Sequence, residues 1–259
     1  MNFHWGDSPM SWLRYMTLAS FRKYHPDWEM VLWQTPITAA KTWQTGEASE
    51  AYDGVDWRDE LPALGVDVEL THAPEGMPVQ HAGDIVRWKR LAEGELYSDM
   101  DILYFCALPP ILRRDGISCE DGILRVGLTS GTKDGVFADV LEVARDNYDP
   151  SRYQSVGVEA VYHLAFGHAV NDVNQAVGMD TLGLLTEVTG KPVYNIPTWW
   201  LHPIDSHQIH NSSSIRNDAV GIHWFGGLYE SVRLSDEMTP DNWHQFSGAI
   251  PIALERALR

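Results

Sequence analysis

Asp99-Met100-Asp101 sets two carboxylates two residues apart, between the apolar Leu96-Tyr97 and Ile102-Leu103-Tyr104-Phe105. Carboxylate oxygens suit Mg²⁺ or Mn²⁺. A cation held there could neutralise the two phosphates of a nucleoside diphosphate sugar as that group departs. On a continuing strand the two side chains would share one face; in a turn at the strand end one could bind directly and the other through water. Either geometry makes a clamp. A second pair lies just upstream. Pro78 to Glu93 reads as a helix, with Ile85, Trp88 and Leu91 on one stripe and Asp84 and Arg87 one turn apart on another, so the latter two can point together at a ligand. The plain alternatives are a surface acidic turn for the first pair and a helix-surface ion pair for the second, the latter worth only a few tenths of a kcal/mol.

These residues need elements to hold them. Residues 2–5 and 29–33 read as strands flanking a helix over about 11–24, started by Ser11 and stopped near Pro26. Residues 36–63 are less periodic and read as a lobe or loop, while Val66 to Leu70 alternates like a half-buried strand. Further strands are expected near 96–97, 102–105 and 123–128, and helices over 136–147, 156–166 and 181–188. Alternation of strand and helix in the first hundred residues predicts an α/β sheet with its ligand at the strand C-termini, where Asp99 and Asp101 fall.

The 259 residues suffice for one sizeable core and favour a single domain over two. With 36 acidic against 19 basic side chains, the formal charge of −17 repels polyanions, so nucleic acid or an anionic membrane is a poor partner. A bound cation can still hold an anionic donor locally. Cys106 and Cys119 indicate neither a disulfide framework nor a cysteine zinc site, and point to a reducing compartment. No apolar run is long enough to cross a bilayer and no signal follows Met1, so a soluble, cytoplasmic protein, at most peripheral to a membrane, is expected.

Asp84-Ile85-Val86-Arg87, followed by Gly94-Glu95-Leu96-Tyr97-Ser98-Asp99-Met100-Asp101-Ile102, resembles the S-D-x-x-R … G-G-x-Y-x-D-x-D hallmark of glycosyltransferase family 32. That family contains the Och1-type mannosyltransferases and capsular sugar transferases, and related blocks occur in the glucosylating clostridial toxins. The resemblance extends to Phe3-His4-Trp5-Gly6 as an opening strand, to Met10 through Trp33 as a first helix and second strand, to the stretch from Asn195-Ile196-Pro197 through His202-Pro203-Ile204, and to Ile222-His223-Trp224 with Gly226-Gly227 as the closing motif. Gly83 and Glu95 depart from the usual Ser and second Gly, and Gly157-Val158 stands where a Gly-Pro is expected.

The resemblance implies a GT-A-type α/β fold over residues 1–259. It also implies metal-dependent, retaining transfer of a hexose from a UDP- or GDP-sugar to an acceptor hydroxyl, expected to be a glycan's, as in polysaccharide biosynthesis. Asp99, Asp101 and His223 would hold Mn²⁺ or Mg²⁺. Asp84, Arg87 and Asp101 would be catalytic, Asp84 accepting hydrogen bonds from sugar hydroxyls and Arg87 stabilising charge on the departing phosphate. Trp5, Gly6, Tyr97, Ser98, Asp99 and Trp224 would join Asp84 and Arg87 in contacting the donor.

Other patterns are weaker. His202, His207, His210 and His223 lack zinc-helix spacing, and the first three are expected at loops or a pocket edge. His223 could equally be a hydrogen-bonded core residue, and Trp5 plain core packing. Gly127 to Gly135 lacks the phosphate-loop ending and reads as a flexible surface loop near the site. Two further function classes fit the sequence: a non-catalytic sugar-nucleotide or glycan binder, and a transferase acting on a modified nucleic-acid base through a basic strip of Arg87, Lys89, Arg90, Arg113 and Arg114.

Overall fold

A computed structural model describes residues 1–36, 52–74, 76–168, 170 and 172–259. Most of the 36–63 stretch therefore lies outside the described residues; its end forms a 3₁₀ helix, Trp57–Leu64. Strand β1 (Asn2–Trp5) leads into helix α1 (Trp12–Tyr24) and back to β2 (Met30–Gln34), which pairs parallel to β1 with Phe3 beside Leu32. Ser11 starts α1 by accepting a hydrogen bond from the Arg14 amide, as an N-cap does. His25, ahead of Pro26, ends it.

Strand β3 (Val66–Leu70) adds parallel to β2, helix α2 (Val79–Ala92) follows, and β4 (Leu96–Ser98) returns parallel to β1. The chain then leaves this sheet through Asp99 to Asp101 and enters β5 (Ile102–Tyr104). Strands β6 (Gly116–Glu120) and β7 (Ile123–Ser130) form an antiparallel hairpin. Its turn residues, Asp121 and Gly122, have φ of 50° and 82°, the left-handed pair that suits tight hairpins. Helices α3 (Val136–Asp146), α4 (Val158–Phe166) and α5 (Thr181–Thr189) precede β8 (Tyr194–Asn195) and β9 (Gly221–His223), and α6 (Tyr229–Glu237) and α7 (Ala249–Leu258) complete the order.

The seven-stranded mixed sheet runs β3-β2-β1-β4-β7-β6-β8, and β5 pairs with β9 in a separate antiparallel ribbon. This is the expected α/β class, a mixed sheet flanked by helices. Trp88 and Leu91 of α2 join residues of α3, α4, β4 and β7 in one buried cluster. Phe3, Leu18, Phe21 and Leu32 join Ile102 and Tyr104 in another, and Trp12, Leu13, Ile222, Trp224 and Leu254 in a third.

Two expectations are corrected. Val66–Leu70 is a strand but not half-buried: it sits at the sheet edge with Val66 alone covered, because nothing among the described residues pairs with its outer side. Gly127 to Gly135 is no flexible surface loop. Its first part lies in β7 and is buried, and its second part turns into α3 around Asp115, which accepts hydrogen bonds from the amides of Thr132 and Val136.

Two imidazoles whose charged forms are disfavoured give the fold a pH dependence. His25 Nε2 accepts a hydrogen bond from the Leu108 amide at 3.2 Å, which requires an unprotonated nitrogen, and burial pushes its pKa down to about 4. Burial, reinforced by Arg87, pushes His4 down to about 3. In the unfolded chain both would titrate near 6.5, so below that pH the unfolded state takes up protons that the folded state refuses. Their contribution is complete above about pH 6.5 and shrinks as pH falls toward the folded values, by at most about 1.4 kcal/mol per pH unit for each group. Urea midpoints measured at pH 7, 6 and 5 should decline, and His25→Asn should decline less steeply. Parallel pH profiles for the two proteins would refute the assignment to His25.

Candidate functional site

The turn between β4 and β5 is fixed on three sides. The Asp99 amide donates to the Gly127 carbonyl at 2.8 Å, the Thr17 hydroxyl of α1 donates to the Met100 carbonyl at 3.0 Å, and the Trp224 amide donates to the Asp101 carbonyl at 2.9 Å. Met100 is buried in the core, while Asp99 and Asp101 on either side of it stay partly exposed. The turn geometry, not the continuing strand, is therefore the one adopted.

Pairing in the ribbon sets Ile102 opposite His223, and so brings the His223 imidazole to the turn. Its Nε2 lies 3.1 Å from Asp101 Oδ1 and 4.0 Å from Asp99 Oδ2. One ligand atom from each of Asp99, Asp101 and His223 can be chosen so that all lie within 4.8 Å of one another. Gly127 makes room for the ring, since a Cβ there would come within 2.9 Å of His223 Cδ2.

Helix α2 supplies the second pair. Arg87 is buried and forks between two carboxylates, one nitrogen on Asp84 and the other on Asp99 Oδ1 at 2.5 Å, with its Cζ 4.9 Å from the centre of the Tyr97 ring. The exposed ion pair considered above is thus replaced by a buried bridge joining α2 to the turn. The departures from the family pattern sit around this bridge. Gly83 lets α2 ride over His4, because a Cβ would lie 2.8 Å from His4 Nδ1, and Gly157 at the start of α4 approaches Asp84 so closely that a Cβ would lie 2.8 Å from Oδ2. Glu95 accepts a hydrogen bond from Asn2 Nδ2 at 2.7 Å, tying β1 to β4.

Charge is unevenly shared. Burial raises the Asp84 carboxyl above its ordinary range, with Arg87 opposing. Burial and the neighbouring Asp101 raise Asp99 in the same sense, against Arg87 and His223. For Asp101, burial is outweighed by His223, Arg14 and the Gly226 amide, so its carboxyl is held well below the usual range. The His223 pKa is raised because Asp101 and Asp99 outweigh the cost of burying its charged form. Desolvation also works against Arg87, but Asp99 and Asp84 outweigh it and keep the guanidinium charged.

Tyr97, Ser98 and Trp224 are buried and support the site from behind. Tyr97 underlies Arg87, Ser98 shares a 2.7 Å hydrogen bond with the Tyr104 hydroxyl, and Trp224, with no exposed surface, packs beneath Arg14 at 4.5 Å. Trp5 and Gly6 stand at the C-terminal end of β1, Trp5 half-buried with its indole N–H on the Ser8 carbonyl. Two members of the basic strip are engaged within the protein: Arg87 is buried in its bridge, and Arg90 pairs with Glu93 and lies over Trp33.

Other residues were not foreseen here. Arg14 contacts Trp5, Trp224, Asp101 and Gly226, which no local pattern announces. His202, expected at a pocket edge, lies tilted against His223 at 5.0 Å between ring centres, and Phe225 lies 4.6 Å from the same ring with a φ of 52°.

No family model and no curated protein matches the chain. Solved structures do. One is the PaToxG glycosyltransferase, covering 74% of this chain and 78% of its own, at 16% identity and a TM-score of 0.42. Another is the galactosyltransferase LgtC in complex with donor and acceptor sugar analogues, covering 95% of this chain and 99% of its own, at 14% identity and a TM-score of 0.42. The glycosyltransferase GlyE of Streptococcus pneumoniae TIGR4 covers all of this chain against 60% of its own, at 10% identity and a TM-score of 0.47.

Proposed function

We propose that this chain is a single GT-A-type domain that transfers a hexose from a UDP- or GDP-sugar to an acceptor hydroxyl, with retention of configuration, using Mn²⁺ or Mg²⁺. The observation that carries the reading is the convergence of Asp99, Asp101 and His223 on one point, with their ligand atoms within 4.8 Å of each other. The donor set fits the ion: the two carboxylates suit Mn²⁺ or Mg²⁺, and the imidazole is a donor that a transition-metal ion such as Mn²⁺ accepts more readily than Mg²⁺ does. When bound, the cation would neutralise the donor diphosphate as it leaves.

The chain's own groups would do the rest. Asp84, held by Arg87, presents a fixed acceptor for the sugar hydroxyls, and Arg87 places positive charge beside the departing phosphate. No carboxylate is marked as a nucleophile, so front-face attack within an ion pair is the economical route, with the leaving phosphate taking the acceptor's proton. A glycan is the acceptor class we favour, in keeping with the acidity of the chain. The test is incubation with a panel of UDP- and GDP-sugars and Mn²⁺, following nucleotide release. Release with one or more donors, dependent on Mn²⁺, is the expected result. Silence with every donor from a folded protein that binds Mn²⁺ would overturn the catalytic reading and leave a sugar-nucleotide binder.

A further inference from the structure

Each carboxylate of the candidate metal centre has one oxygen already engaged. Asp99 Oδ1 is taken by Arg87. Asp101 Oδ2 accepts the Gly226 amide at 2.7 Å and faces Arg14 Nη1 at 4.0 Å. The remaining oxygens, Asp99 Oδ2 and Asp101 Oδ1, are the ones turned to His223 Nε2. Arg87 belongs to the helix motif, whereas Arg14 stands in no motif, on the first turn of α1.

Arg14 nevertheless reaches both sides of the loop that follows β9. Its Nη2 donates to the Gly226 carbonyl at 3.1 Å, and the amide of that same residue holds Asp101 Oδ2. The guanidinium is pinned over the Trp224 ring at 4.5 Å and the Trp5 ring at 5.3 Å, contacts that favour a planar cation. Gly226 leaves it the space: a Cβ there would lie 2.3 Å from Nη2.

We infer that Arg14 is a positioning residue of the metal centre, fixing Gly226 and thereby which oxygen of Asp101 is offered to the cation. The inference rests on the metal-site reading above. With Oδ2 held back, Asp101 offers a single oxygen. That suits a six-coordinate ion such as Mn²⁺ and disfavours Ca²⁺, which takes more oxygens and often both from one carboxylate. Arg14 therefore acts on selectivity as well as on affinity.

The test uses the full chain without donor or acceptor. Wild type, Arg14→Met and Gly226→Ala are titrated separately with Mn²⁺ and Ca²⁺ by calorimetry, and their melting temperatures recorded. Met keeps an unbranched stem on the two indoles without the guanidinium, while Ala at 226 displaces the guanidinium and leaves Arg14 in the sequence. Both variants should bind Mn²⁺ about tenfold or more weakly, the usual scale for residues that orient metal ligands. Ca²⁺ affinity should change less, so that the Mn²⁺/Ca²⁺ ratio falls. An unchanged ratio, whether both affinities hold or both drop together with the melting temperature, overturns the role of Arg14 and leaves the metal centre standing. Wild type that binds neither ion overturns both. If Arg14→Met does not fold, Gly226→Ala carries the same comparison.

Discussion

Asp101→Asn should abolish metal-dependent sugar transfer, by at least about a hundredfold, while the chain still folds. An amide of the same shape keeps an oxygen that can accept the Gly226 amide, but it removes the charge facing His223 and Arg14. The raised pKa of His223 depends first on that charge among the opposing groups, so the variant also weakens the ion pair that holds the imidazole at the turn. Relief of repulsion from Asp99 offsets part of this loss, which is why the melting temperature should move less than the activity. Mn²⁺ titration and initial rates on one preparation check the prediction. Near-normal turnover at limiting Mn²⁺ would remove Asp101 from the centre.

Arg87→Lys should be the more damaging change to the protein as a whole. A guanidinium can fork between Asp84 and Asp99 while lying over the Tyr97 ring; an ammonium can approach one carboxylate closely but not both at once. The carboxylate left behind is buried and incompletely compensated. Loss of one partner from such a pair costs on the order of 3 kcal/mol, lowering the melting temperature by several degrees and shifting the chemical denaturation midpoint accordingly. Turnover should fall as well, because the same fork sets the position of both Asp84 and Asp99. Lys at 87 with wild-type stability would mean that the bridge between α2 and the turn is not needed.

How much of this could be read beforehand depends on the range over which each feature is determined. Helix α2, strand β4 and the acidic turn are local: apolar spacing, a proline before the first turn and two acids at fixed separation lie within two dozen residues. The β6/β7 hairpin was missed although Asp121-Gly122 between apolar runs is a strong turn signal. The exposure of β3 could not be read, because alternation in sequence says which residues share a face, while edge position depends on which strands pair. Trp224 looked like a ligand contact and is core. It is buried in a cluster drawn from α1, the ribbon, α6 and α7, and Arg14 meets Gly226 from 212 residues away. Gly83 looked like a defect in a motif and is a close approach instead.

The ribbon of β5 and β9 has a kinetic consequence. It joins the turn after β4 to a strand that the chain supplies only after the rest of the large sheet, with Gly226 meeting Asp101 across 125 positions. Contacts of such range form late, since the entropy of closing the intervening chain must be met before they reward it. Until then the acids of the turn have neither His223 nor the Gly226 amide beside them. High-affinity metal capture should accordingly be among the last properties to appear during refolding, so that a metal-sensitive signal would report the completed chain and lag the recovery of helical circular dichroism.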